Sequence, residues 1–107
     1  MELLSRDVAI EYASWFRALA DPSRVQIVAL LARAGRSLPV GEIVATIGLA
    51  QSTVSQHLKI LAEVRFVLIE SVGNARHYRV NEACVSCFPS AADIVMGKPA
   101  PTAEEAC

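Results

Sequence analysis

Apolar residues recur at helical intervals from the start of the chain. Val8, Tyr12, Phe16 and Leu19 follow Ser5 at that spacing, with Trp15 beside them, and predict an amphipathic helix capped by Ser5 and running to about Leu19. Its stripe is unusually aromatic. The next stretch, ALADPSRVQIVALLARAG, predicts a second helix with Asp21 as N-cap, Pro22 at the first helical position and Gly35 as the stop. Its periodicity turns Val25, Val28 and Leu31 or Ala32 inward.

The segment LPVGEIVATIGLAQSTVSQHLKILAEV carries two further apolar stripes around a tight break. Val40 or Ile43, Val44 and Ile47 form a short face, Gly48 turns the chain, and Val54, Leu58 and Leu61 resume the stripe. A short helix, a glycine turn and a second helix with a polar outer face make a helix-turn-helix. FVLIESV and RHYRV then flank GNA and predict a β-hairpin. Beyond Asn81 the pattern weakens. Pro89 predicts a short turn over residues 82–88 and a helix from Pro89 to near Gly97. KPAPTAEEAC, residues 98–107, reads as a flexible tail behind one domain spanning residues 1–97.

The length of 107 residues fits one small domain whose core is sufficient but not generous. A hydrophobic share of 53% against 20% charged residues excludes a disordered chain and leaves apolar surface for a partner subunit. No apolar run approaches the roughly 20 residues of a membrane span. Acids stand where a secretory leader would be basic, so the expected location is cytoplasmic with no membrane partner. The net charge of −1 hides an uneven distribution. Lys59, Arg65, Arg76 and Arg79 outnumber Glu63 and Glu70 across the predicted recognition helix and hairpin, whereas the tail is acidic.

The order of elements predicts a mainly α fold with a β-hairpin wing, a dimeric winged helix-turn-helix. In ALADPSRVQIVALL, GLAQSTVSQHLKIL and GNARHYRV, spread over most of residues 12–80, the chain resembles the ArsR/SmtB family of metalloregulatory repressors. The second helix of the motif would enter the major groove of double-stranded operator DNA with Gln51, Ser52, Thr53, Ser55, Gln56, His57 and Lys59 toward the bases and phosphates. Arg76, His77 and Arg79 would follow on the wing, against phosphate or the minor groove. One recognition helix makes too few contacts for a selective site. The aromatic first helix and the segment SAADIVMG supply the apolar surface for a homodimer, and the resemblance implies pairing through the first and last helices.

Three cysteines, Cys84, Cys87 and Cys107, all lie behind this body, and in a reducing compartment they point to metal or redox chemistry rather than disulfides. The resemblance implies several possible inducer sites. VGEIVATIG lacks the thiols of some arsenic sensors, the recognition helix lacks those of some cadmium and lead sensors, and the last helix offers only Asp93 toward a zinc-type site. Cys84 and Cys87, three apart, share one side of a helical turn, and a tail of this length lets Cys107 fold back. Three soft sulfurs suit three-coordinate trivalent arsenic or antimony better than zinc, with mercury, cadmium or lead as alternatives. Without Cys107 the pair suits Hg(II) or a monomethyl trivalent arsenical. The expected function is a repressor released from its operator by arsenite or antimonite, with no organic cofactor. A thiol redox switch and a constitutive DNA-binding protein with idle thiols are the rival readings. An oxidoreductase is excluded because no βαβ context precedes CVSC.

Overall fold

A computed structural model of the chain describes residues 3–97, with the backbone alone for residues 84–90. The elements follow in the order α1 (Arg6–Ala18), α2 (Pro22–Ala34), β1 (Leu38–Pro39), α3 (Val40–Ile47), α4 (Gln51–Glu63), β2 (Val67–Val72), β3 (Ala75–Val80) and α5 (Glu82–Val95). No described helix is long and apolar enough to cross a membrane.

Local chemistry sets the helix ends. The Ser5 hydroxyl accepts the Val8 N–H at 3.2 Å and starts α1. Asp21 Oδ1 accepts from Ser23 N–H at 2.8 Å and Arg24 N–H at 3.2 Å, so two of the orphan donors at the start of α2 are satisfied by one carboxylate. Gly48, at φ 81°, closes α3 in the left-handed conformation that ends helices, and α4 begins three residues later. The end of α4 uses the same device without glycine. Arg65 takes φ 68°, its N–H donates to Ala62 O at 3.1 Å, and Phe66 N–H donates to Leu61 O at 3.0 Å, which together form a Schellman cap.

The hairpin pairs Val67 with Val80 through Val72 with Ala75, and Gly73, at φ 62°, occupies the first position of its two-residue turn. The sheet has three strands in the order β1-β3-β2, because Leu38 and Pro39 pair with Tyr78 and His77. This third strand was not expected; two residues carry no alternation that a sequence pattern could reveal.

Ile27, Leu31, Leu38, Ile43, Val54, Leu58, Leu61, Phe66, Val67 and Tyr78 form one core joined by Ala18. Two expectations are corrected here. The inward face of α2 is set by Ile27 and Leu31, whereas Val25 is 49% exposed and Ala32 is also on the surface. Apolar residues run almost all round α2, so its periodicity admits more than one facing. In addition, α5 is continuous from Glu82 through Pro89, where a turn and a later helix were predicted. Asn81 explains the early start: its Oδ1 accepts Ala83 N–H at 3.2 Å and nucleates the first turn, so Pro89 removes one ladder bond from a helix already under way.

α1 and α5 meet the rest of the fold along only part of their length, α1 through Ala18 and Trp15. Ala18 of α1 and Ala91 of α5 are buried, while Ile10 and Val95 on these helices, Leu4 just before α1 and Met96 just after α5 are exposed. The radius of gyration, 15.3 Å, exceeds the roughly 12–13 Å of a compact chain of this size, and the long axis reaches 51 Å.

Candidate nucleic-acid interface

Burial of Val54, Leu58 and Leu61 fixes which side of α4 faces outward. Gln51, Ser52, Thr53, Ser55, Gln56 and Lys59 are all exposed, giving a polar stripe of amides, hydroxyls and one ammonium. Beside it a cleft of about 490 Å³ separates α4 from the wing, lined by Ser55, Lys59, Ala62, Glu63, Ile69, Arg76 and Tyr78. Lys59 and Arg76 therefore flank the same opening. A duplex laid along α4 would meet donors for base edges on the helix and two cations for its phosphates.

The pleat divides the predicted wing residues. Arg76 and Tyr78 share one face of β3, whereas His77 and Arg79 point to the other. Arg79 forms an ion pair with Glu70 across the hairpin and lines a second cleft, of about 330 Å³, with Leu31, Ala32, Gly35, Arg36, Val80 and Glu82. The structure thus gathers Arg76 with the α4 stripe and leaves His77 and Arg79 apart from it.

His57 is also separated from the exposed stripe. Its side chain is 14% exposed, Nδ1 lies 3.3 Å from an Arg24 terminal nitrogen, and Nε2 lies 4.0 Å from Asp21 Oδ1. Arg24 in turn donates through Nε to Ala18 O at 2.6 Å and through its other terminal nitrogen to Arg17 O at 3.4 Å. One guanidinium therefore joins the end of α1, the start of α2 and the middle of α4. The Arg24 backbone N–H holds the Asp21 carboxyl below the usual carboxylate range, against a smaller opposing effect of burial; the Ser23 N–H and the nearby Arg24 guanidinium act in the same direction as the first bond. Sequence reasoning missed this hub, although a signal for His57 existed: it lies three residues after Val54 and four before Leu61, on the margin of the buried stripe.

At the other end of α4, Asn81 bridges two elements. Its backbone N–H donates to Phe66 O at 2.9 Å, its Nδ2 donates to Arg65 O at 2.8 Å, and its Oδ1 caps α5. Cys84 and Cys87 fall in the first two turns of α5, and their side chains lie outside the described residues, as does all of Cys107. Among the described residues no three His, Cys, Asp or Glu side chains gather into a metal site.

Residues 21–68 match the family described as "Bacterial regulatory protein, arsR family". A transcriptional repressor SmtB homolog of Synechocystis sp. is 39% identical over 77 residues, 72% of this chain and 57% of that protein. This chain spans about three-fifths of the length of the first curated relatives it matches. The homodimeric winged helix-turn-helix domain of Mb0332 from Mycobacterium bovis superposes with a TM-score of 0.70 at 25% identity, over 90% of this chain and 91% of that one. The AntR antimony-specific transcriptional repressor superposes with a TM-score of 0.69 at 33% identity, over 79% and 76% of the two chains. With a third of its aligned residues shared with that repressor and a common fold over three quarters of both, the chain belongs to the arsR family of bacterial regulatory proteins.

Proposed function

We propose that this chain is a homodimeric, DNA-binding transcriptional repressor whose grip on its operator is released when trivalent arsenic or antimony engages the thiols of Cys84, Cys87 and Cys107. The observation that carries the DNA-binding half is the cleft with Lys59 and Arg76 on its two sides, set beside the exposed stripe from Gln51 to Lys59. A homodimeric neighbour of the same fold supports pairing, and the exposed apolar residues of α1 and α5 supply a surface for it. Two subunits related by a two-fold axis would present their α4 helices to half-sites one helical turn apart, about 34–36 Å.

The inducer half rests on donor chemistry. Soft thiolates with no nitrogen or oxygen partner suit a three-coordinate trivalent metalloid, and a neighbour of this fold is named as antimony-specific. Bound there, the ion would draw thiolates together and order the segment that carries them. The protein's own part is the Asn81 bridge. A change in the first turn of α5 alters the cap on Ala83 N–H, and the same amide holds Arg65 O at the end of α4. Emptying a nearly full operator requires on the order of 5 kcal/mol of differential affinity between the two states.

Release of reduced protein from its own upstream DNA, with arsenite, antimonite, Hg(II), Cd(II), Zn(II) and peroxide in parallel, tests this reading against a Cys84→Ser, Cys87→Ser variant. Release by arsenite or antimonite that disappears in the variant is the expected result. Release by peroxide alone would replace the metalloid sensor with a redox switch, and release by nothing would leave a constitutive DNA-binding protein.

A further inference from the structure

The polar residues of α4 do not share one role. Gln51, Ser52, Thr53, Ser55, Gln56 and Lys59 are exposed, while His57 is turned against α2. We propose that His57 and Arg24 form a positioning pair that fixes the angle of α4 on the body of the protein, and that His57 reads no base. The proposal rests on the reading of α4 as the DNA-recognition helix.

The chemistry of the contact is one-sided. A guanidinium only donates, so His57 Nδ1, at 3.3 Å from Arg24, must accept, and the ring proton sits on Nε2 toward the Asp21 carboxylate at 4.0 Å. The ring is thereby turned into the protein, with Nδ1 on Arg24 and Nε2 facing Asp21 beyond hydrogen-bond distance. Apolar contact through Val54, Leu58 and Leu61 keeps α4 on the core, but such contact is non-directional and tolerates sliding and rotation. A hydrogen bond is directional and selects one setting of the helix. The remaining donors of Arg24 end on Ala18 O and Arg17 O, the last carbonyls of α1. The same guanidinium therefore couples the setting of α4 to α1, whose exposed Ile10, with Leu4 just before the helix, offers apolar surface to a second subunit. How the two recognition helices are spaced in a dimer would then depend on one side chain that never touches DNA.

The test compares wild type, His57→Asn, His57→Leu, Arg24→Lys and the Arg24→Lys, His57→Leu double variant. Each is used to select preferred sequences from a randomised duplex pool, and affinities for the selected and for random duplex are measured, with folding checked by circular dichroism. Asn places an acceptor oxygen where Nδ1 stood, so His57→Asn should keep wild-type affinity within about threefold. His57→Leu and Arg24→Lys should each lose about tenfold for the selected duplex, the order expected for one hydrogen bond to a charged group, with random-duplex affinity unchanged. The double variant should lose no more than the weaker-binding single one, because the two residues act as a unit. A role confined to stability would shift the melting temperature without moving the ratio of selected to random affinity. A changed base preference at one position per half-site in either His57 variant would overturn the proposal, as would additive losses in the double variant. Failure of the wild type to select any sequence would overturn the DNA-binding reading itself, and the proposal with it.

Discussion

Ile27 and Val25 stand two residues apart on α2 and face opposite ways, so truncating each to Ala separates core from surface on a single helix. Ile27 is 0% exposed and lies in the centre of the core. Ile27→Ala deletes three buried carbons, about 2.4 kcal/mol at about 0.8 kcal/mol per buried methylene, and the unfilled cavity brings the total to about 3.5 kcal/mol. Val25, at 49% exposure, loses about 0.8 kcal/mol of burial on truncation, and the better helix propensity of Ala returns about 0.5 kcal/mol. The net change at Val25 is therefore close to zero. A domain of this size has about 5–15 kcal/mol of stability in all, so the first loss is a large fraction of it and the second is not. Urea unfolding followed by circular dichroism, at one fixed protomer concentration because a dimer gains stability by mass action, measures both. With a slope near 1.5 kcal/mol/M, the midpoint should fall by about 2 M for Ile27→Ala and stay in place for Val25→Ala. A loss above about 1.5 kcal/mol at Val25, or below about 1 kcal/mol at Ile27, would refute the facing of α2 described here.

Three further outcomes are expected. Arg65→Gly relieves a left-handed backbone, worth about 1 kcal/mol, and gives back about half of that as extra freedom of the unfolded chain, so the melting temperature should rise by about 2–4 °C. Asp21 has a depressed folded pKa, so its charge stabilises the fold above the ordinary carboxylate value of about 3.9 and ceases to do so as pH falls through the lower folded value. Asp21→Asn keeps a capping oxygen without the charge, and its melting temperature should lie below wild type at pH 6, with the gap narrowing as pH falls below the ordinary carboxylate value. If Lys59 and Arg76 meet phosphate in both subunits, Lys59→Ala or Arg76→Ala should each flatten the plot of log affinity against log salt by nearly two, while Arg79→Ala, whose guanidinium is engaged by Glu70, should leave the slope unchanged.

Much of the architecture was legible because its punctuation is local. Ser5, Asp21, Pro22, Gly35 and Gly48 mark helix ends by chemistry that acts within a turn, and Gly73 with Asn74 marks the hairpin. What the pattern could not supply depends on distant partners. Leu38 becomes a strand only because Tyr78 lies opposite, and His57 turns inward because Arg24, from another helix, offers a donor. Val25 misled for a different reason: on a helix that is apolar nearly all round, periodicity ranks several faces almost equally. Pro89 misled because proline marks helix starts more often than interiors, whereas here Asn81 had already begun the helix. The α4 stripe and its basic neighbour were readable as a candidate site, but the division of wing residues between two faces needed the register of the sheet.

The two-residue strand β1 also governs how the protein behaves toward its own copies. An open sheet edge is a template on which another molecule can add a strand. Here β3 is enclosed between its two neighbours, and the outer side of β1 ends at Pro39, which carries no N–H, before the chain turns at once into α3. An incoming strand on that side would find too short a ladder, and one lacking a donor, to begin zipping. The sheet is thereby guarded against fibre growth on that edge, and the six residues of β2, Val67–Val72, at the opposite end of the strand order remain the one longer template for an added strand among the described residues.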